Sequence, residues 1–168
     1  NNCKIFLPVV STIYRATITI PQGESIEEIK TREQVIYQFY KQWKIDNPTQ
    51  RKYNLSLKDY INIRQISIVE TAEHAAKTYL STLAVLQLDA ILTNAKKVAV
   101  VRTKIRSQNQ NQFEKMIVMG YQCVGIGTIK MTVGIKRSNK EKVQYCITHL
   151  DVNDLLYNEI RHTIQAKK

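Results

Sequence analysis

Residues 129–136 alternate. Ile129, Met131, Val133 and Ile135 are apolar, and Lys130, Thr132, Gly134 and Lys136 stand between them. Side chains on a strand point to opposite faces in turn, so this run buries one face and offers lysines and a hydroxyl on the other. The remaining chain must then cover the greasy face. The same half of the chain holds the charge. Between residues 91 and 147 lie eight lysines and three arginines against two glutamates, a balance of +9 within a chain total of +11. A concentrated positive field on strands suits a polyanion-binding surface. The plainer alternative is a solvated sheet face kept soluble by lysine.

Four strands are expected in this half, over 98–105, 113–123, 125–136 and 143–150. The loop SQNQNQ (107–112) and the turn RSNKEK (137–142) separate neighbours as an antiparallel meander requires. Gly125 and Gly127 mark a bulge or tight turn. Gly-Ile-Gly here lacks the strand–turn–helix setting of a phosphate loop.

The first half supplies the cover. A strand over roughly 11–20 ends at the turn Pro21-Gln22-Gly23, with Pro8 demoting its start. Ser25 and Glu28 form a capping box opening a helix that Asn47-Pro48 ends. Its aromatic stripe (Tyr37, Phe39, Tyr40, Trp43) is read as core packing rather than a base-stacking platform. Residues 48–57 read as a polar loop with Arg51 and Lys52, and the type of 57–66 stays open. Ser67 and Glu70 suggest a second capping box. The stripe Ile68, Ala72, Ala75, Tyr79, Leu83, Leu86 and Ala90 then runs through Ala95, as one helix or as two broken near Ser81-Thr82. Asn94 is the expected stop. Asp151 is expected to cap a last helix with Val152, Leu155, Leu156, Ile160 and Ile164 inward. The fold class expected is α+β: an N-terminal strand and helices on a mostly antiparallel four-stranded sheet, with a C-terminal helix. The expected organisation is an N-terminal helical part with a leading strand (1–66), followed by an α+β domain (67–168).

Few chemical motifs stand out. Cys3, Cys123 and Cys146 have no metal-ligand spacing and read as free thiols suited to a reducing cytoplasm. His74, His149 and His162 are too scattered for a metal motif, so no cofactor or metal is expected. No run reaches the ~18 apolar residues of a membrane span, and no signal peptide is visible at Asn1. No membrane partner is expected.

Glu70, His74, Lys77 and Ser81 follow at four, three and four, one stripe of a continuous helix. A histidine can move a proton, a lysine can clamp a phosphate, and Glu70 can orient the histidine. Set against the basic sheet, they would suit RNA cleavage without metal. A base takes the 2′-hydroxyl proton, a cation steadies the phosphorane, and an acid protonates the leaving oxygen. The plainer alternative is an exposed helix face with a Glu–His pair.

A helix carrying an early histidine, followed by a basic meander of antiparallel strands, resembles the barnase/EndoU/colicin/RelE group of small nucleases. More narrowly, residues 89–150 resemble its phage and mobile-element branch, found in large polyvalent proteins. DAILTNAKKVAVV is similar to that branch's helix end and first strand. MIVMGYQCVGIGTIKMTVGIKR is similar to its central hairpin, and KVQYCITHLD to its closing strand. The likeness covers residues 70–150. Residues 1–66 have no counterpart. It implies a helix histidine, a strand-borne Arg or Lys, and a late-strand Ser, Thr or Tyr. By position these are His74; Lys104 or Arg106; Lys130; and Thr132 or Thr148. The catalytic candidates are therefore His74, Lys130, Thr132 and Thr148. The nucleic-acid-binding candidates are Lys77, Arg102, Lys104, Arg106, Lys136 and Arg137. The implied partners are nucleic acid, RNA before DNA, and an immunity or antitoxin protein. Two other functions compete: a non-catalytic nucleic-acid-binding module of a phage or mobile element, and a structural interaction protein.

Overall fold

A computed structural model describes residues 4–6, 17–154 and 156–166. The fold is α+β. In chain order its elements are β1 (Lys4–Phe6), β2 (Thr17–Thr19), α1 (Ile26–Asp46), β3 (Arg51–Asn54), β4 (Asp59–Asn62), α2 (Gln65–Ala75), α3 (Tyr79–Val85), α4 (Leu88–Asn94), β5 (Lys96–Arg102), β6 (Phe113–Cys123), β7 (Gly127–Lys136), β8 (Lys142–His149) and α5 (Tyr157–Ala166). The main sheet runs β3-β4-β8-β7-β6-β5.

The expected meander is present as β5 to β8, each pairing antiparallel with the next. The expected four-stranded sheet is corrected to six strands of mixed direction, because β3 and β4 form a hairpin that joins β8 in parallel through Asn62 and Val143. Residues 48–57 therefore are not all loop. The hairpin hides from pattern reading because its strands are short and sit at the sheet edge, so few positions are buried. Its turn is held by a buried side chain instead. Asn54 Oδ1 accepts from the Leu57 amide at 2.8 Å, and its Nδ2 donates to the carbonyls of Leu92 at 2.8 Å and Ala95 at 3.0 Å. The described end of the leading strand lies outside the main sheet. β2 pairs with β1 in a separate two-stranded sheet, and the rest of the expected strand at 11–16 lies outside the described residues.

One face of the main sheet carries Ile117, Met119, Ile129, Met131, Val133 and Ile147 into a core with α1, α2, α3 and α4. Tyr40 and Trp43 are buried there, which fits the core role of the aromatic stripe. Trp43 Nε1 donates to Asp89 at 2.8 Å and ties α1 to α4. Ser25 caps α1 as expected, its hydroxyl accepting from the Glu28 amide at 3.2 Å.

The long helical stretch departs from its expected form twice. α2 begins two residues before Ser67, with Arg64 at the cap, and Ser67 Oγ accepts from the Arg64 amide at 3.0 Å. Ser67 is thus inside the first turn, and Glu70 has no capping role. The stretch then breaks after Ala75 and again after Val85, giving three helices. The first break has local causes. The Thr78 hydroxyl accepts from the Ser81 amide at 3.3 Å, starting a new helix. Thr82 Oγ1 reaches back to the Ala75 carbonyl at 3.1 Å. Arg32, fully buried on α1, donates to the carbonyls of Ala76 at 2.8 Å, Pro21 at 2.8 Å and Gly23 at 2.6 Å. A buried guanidinium with its fork filled by carbonyls closes the negative end of α2 and fixes where that helix stops.

α5 covers part of the opposite sheet face. Ile160 packs with Val118 and Leu150. Gly120 permits this approach, since a Cβ there would sit 2.3 Å from Ile160. Asp151 does not cap α5, which starts six residues later. Asp151 and Asp154 each accept from the amide two residues on, at 3.0 Å, and turn the chain first. Val152 is consequently exposed, and Leu155 lies outside the described residues.

One buried bridge joins the helices to β8. Tyr40 donates to Gln144 Oε1 at 2.7 Å, and Gln144 Nε2 donates to Thr71 Oγ1 at 2.8 Å. Tyr40→Phe leaves the Gln144 oxygen without its donor in a site closed to water. The expected cost is about 1–3 kcal/mol, read as a lower denaturation midpoint with an unchanged slope.

Candidate functional site

The sheet face opposite the helical core is only partly covered. Between α5 and the polar loop after β5 it forms a cavity of about 400 Å³. Its floor is a patch of three adjacent strands. Lys130 on β7 pairs with Thr148 on β8, and Thr132 pairs with Cys146. On the other side Thr132 pairs with Val118 of β6. Strand alternation puts Lys130 and Thr132 on one face, and the antiparallel register brings Thr148 and Cys146 beside them.

A β-bulge enriches this floor. The register of β7 and β8 shifts between Thr132 and Val133, which face Cys146 and Gln144. Tyr145 is the extra residue, so Tyr145 and Cys146 both line the cavity while Gln144 and Ile147 turn to the core. Bulges re-aim side chains in this way. Phe113 packs edge-on to Tyr145 with ring centroids 6.0 Å apart and supports it.

α2 brings the histidine. β4 pairs with β8 at a single position, so the outer edge of β8 beyond Val143 has no strand beside it. α2 and α3 occupy that place. Cys146 Sγ contacts the Glu70 carbonyl at 3.8 Å, and the His149 amide donates to Ser81 Oγ at 2.9 Å. The edge is thus covered by helices rather than a strand. Lying along it, α2 carries His74 over the rim and into the lining of the cavity.

Glu70 is buried, and its carboxylate is a junction. Asn109 Nδ2 donates to Oε1, and Oε2 lies 3.4 Å from His74 Nε2. The His74 side chain remains 44% exposed, open to a ligand. Burial pushes the Tyr145 phenol up to about 12; a hydrogen bond to Gln110 pulls it back, and the Glu70 charge raises it further. Gln110 Oε1 also accepts from the Lys104 amide at 3.0 Å. The loop after β5 is therefore strapped across the sheet face, to α2 through Asn109 and to Tyr145 of β8 through Gln110. Burial likewise pushes the Cys146 thiol up to about 12, against the pull of the Lys130 charge.

Six of the expected residues line this one cavity: His74, Lys130, Thr132, Thr148, Arg102 and Lys104. Four others do not. Lys77 falls after the end of α2 and leaves the His74 stripe; Ser81, on the same expected stripe, is buried against β8. Arg106 lies in the loop after β5. Lys136 and Arg137 sit at the far end of β7, where Lys136 pairs with Glu141 at 3.4 Å and Arg137 donates to the Asn111 carbonyl at 3.2 Å. Tyr145, Asn109 and Gln110 were not among the expected residues. A single sequence carries no signal for the bulge, and an amide-rich run reads as a plain linker.

Among the described residues no group of three His, Cys, Asp or Glu side chains is placed to hold a metal ion. Among the described residues no helix is long and apolar enough to cross a membrane. The chain matches no protein-family description, no curated protein and no solved structure.

The raised groups fix an alkaline limit on stability. A free thiol loses its proton near ~8.5 and a free phenol near ~10. Folded Cys146 and Tyr145 keep theirs up to about 12. The unfolded state binds fewer protons between these values, so the stabilising contribution is full below the unfolded pKa and is lost as pH rises toward the folded one. Denaturation of the wild type should show a falling midpoint from roughly pH 8.5 upward. Cys146→Ala should fall less steeply over the same range.

Proposed function

We propose that this protein is a metal-independent endoribonuclease that cleaves RNA by attack of the 2′-hydroxyl on the adjacent phosphorus. The observation that carries this reading is the meeting in one cavity of His74, oriented by buried Glu70, with Lys130, Thr132 and Thr148. The likeness of residues 70–150 to the barnase/EndoU/colicin/RelE group, in its phage and mobile-element branch, points the same way.

In this reaction His74 is the base. With Nε2 turned to Glu70, Nδ1 meets the 2′-hydroxyl, and the carboxylate stabilises the imidazolium that forms. The Lys130 ammonium and the hydroxyls of Thr132 and Thr148 hold the phosphate oxygens as charge builds on the phosphorane. Tyr145, kept neutral by burial, can protonate the departing 5′-oxygen. The bond from phosphorus to that oxygen breaks as the bond to the 2′-oxygen forms, leaving a cyclic phosphate. Arg102 and Lys104 steer the backbone toward the groove from its loop side. An immunity or antitoxin protein remains a proposed partner.

His74→Ala should lower single-turnover cleavage of an RNA oligonucleotide by about 10²–10⁴-fold, with unchanged thermal unfolding because the residue is half exposed. Cleavage should persist in EDTA. Wild-type protein that binds RNA with a steep salt dependence but leaves it intact would instead be a binding module. Binding that ignores salt would remove both functions.

A further inference from the structure

β5 closes one edge of the sheet, and among the described residues no strand lies outside it. Outside the ladder with β6, the hydrogen bonds among the described residues leave the backbone of 98–103 untouched; only Lys97 and Lys104, at the two ends, give their amides to Ser56 and Gln110. Val100 and Val101 are 44% and 45% exposed, and Ile105 just beyond them is 73% exposed. Lysines and a register shift between Lys97 and Ala99 guard the start of β5, but from Ala99 to Arg102 the pairing is regular and neither a proline nor a covering helix protects the edge. β5 has seven residues and no proline. α5 packs against Val98 and Ala99 on one face and does not close the edge.

The surrounding charge says what fits there. Lys97 and Arg102 stand on β5 and Lys104 and Arg106 in the loop that leaves it, and none of the four enters an ion pair among the described residues. A second copy of β5 would bring these cations face to face, which opposes self-pairing. Nucleic acid would satisfy the cations but not the exposed valines or the open row of amides and carbonyls. An extended peptide satisfies all three when its alternating side chains are acidic and β-branched.

We infer that the β5 edge is a docking site for an acidic extended segment of a partner protein, which adds to the sheet as a seventh strand. Val101 and Arg102 belong both to this edge and to the lining of the cavity. A strand seated on β5 therefore narrows the mouth of the groove. The inference does not depend on the ribonuclease reading, because the edge is defined by backbone and charge alone.

The test uses the full chain, isotopically labelled, and two synthetic peptides of about ten residues, a long strand by usual measures. One alternates valine with glutamate, and the other alternates valine with lysine. The glutamate peptide should slow amide exchange within 98–103, and Arg102→Glu should weaken its binding roughly tenfold or more. The lysine peptide should not bind. Equal binding of both peptides, or protection that falls outside β5, would overturn the inference. Slower exchange at 98–103 with rising protein concentration alone would assign the edge to self-association. Protection of the same amides by a single-stranded RNA and not by the glutamate peptide would assign it to nucleic acid.

Discussion

The Gln144 side chain is fully buried in β8 with its donor on Thr71 of α2 and its acceptor under Tyr40 of α1. An amide closed off from water must fill both ends or cost stability. This one fills them only if α1 and α2 lie at a set distance from β8 and α2 stands in a set register. The next residue along, Tyr145, is the bulge. Core and cavity thus meet at one turn of backbone, with the core side fixed by hydrogen bonds and the other side presenting Tyr145 and Cys146. Arg32 acts on the other end of α2, where its guanidinium gathers the carbonyls that the helix leaves open. Between these two anchors α2 has little freedom, and Glu70 and His74 are held over the edge of β8.

Much of this arrangement was legible in the sequence wherever a period was long enough to count. β6 has the bounds expected for it between the amide-rich loop and the glycine turn, and α1 starts at its serine cap. Lys130, Thr132 and Thr148 share a surface because strand parity and antiparallel pairing leave little choice. Three features escaped for physical reasons. β3 and β4 are too short and too exposed to show alternation, and their turn depends on Asn54 reaching residues 92 and 95. The breaks in the helical stretch come from threonine hydroxyls and a distant arginine, neither of which disturbs the apolar stripe. Lys77 was misplaced with them, since its place beside His74 required an unbroken helix. The bulge and the Asn109 latch are tertiary facts with no local pattern. His74 reached the cavity even so, because it precedes the first break.

The positive charge separates into two roles. Lys136, Lys140 and Lys142 pair with Glu141, Glu114 and Asp59 around the β7–β8 turn and the β3–β4 hairpin. Such surface pairs are worth only about 0–1 kcal/mol each, and their main effect is to neutralise that end of the sheet. Lys130, Arg102 and Lys104 enter no ion pair among the described residues, and they line the cavity. These cations stand where the face is concave, and a concave low-dielectric wall focuses their field. Met116, Val118 and Leu156 add apolar lining beside the cations. A ligand with an anionic backbone and a flat apolar part matches both halves of that surface.

If the proposed function holds, the α2 rim and the β7–β8 floor form one binding surface. The most direct measurement is an NMR titration with an RNA oligonucleotide carrying a 2′-deoxy sugar at the scissile position, which binds but cannot be cleaved. The imidazole signals of His74 and the methyl signals of Thr132 and Thr148 should all shift along one saturation curve. Thr82, facing the helical core, should stay unmoved. Shifts at the threonines with none at His74, or two curves of different midpoint, would mean that rim and floor do not act as one site.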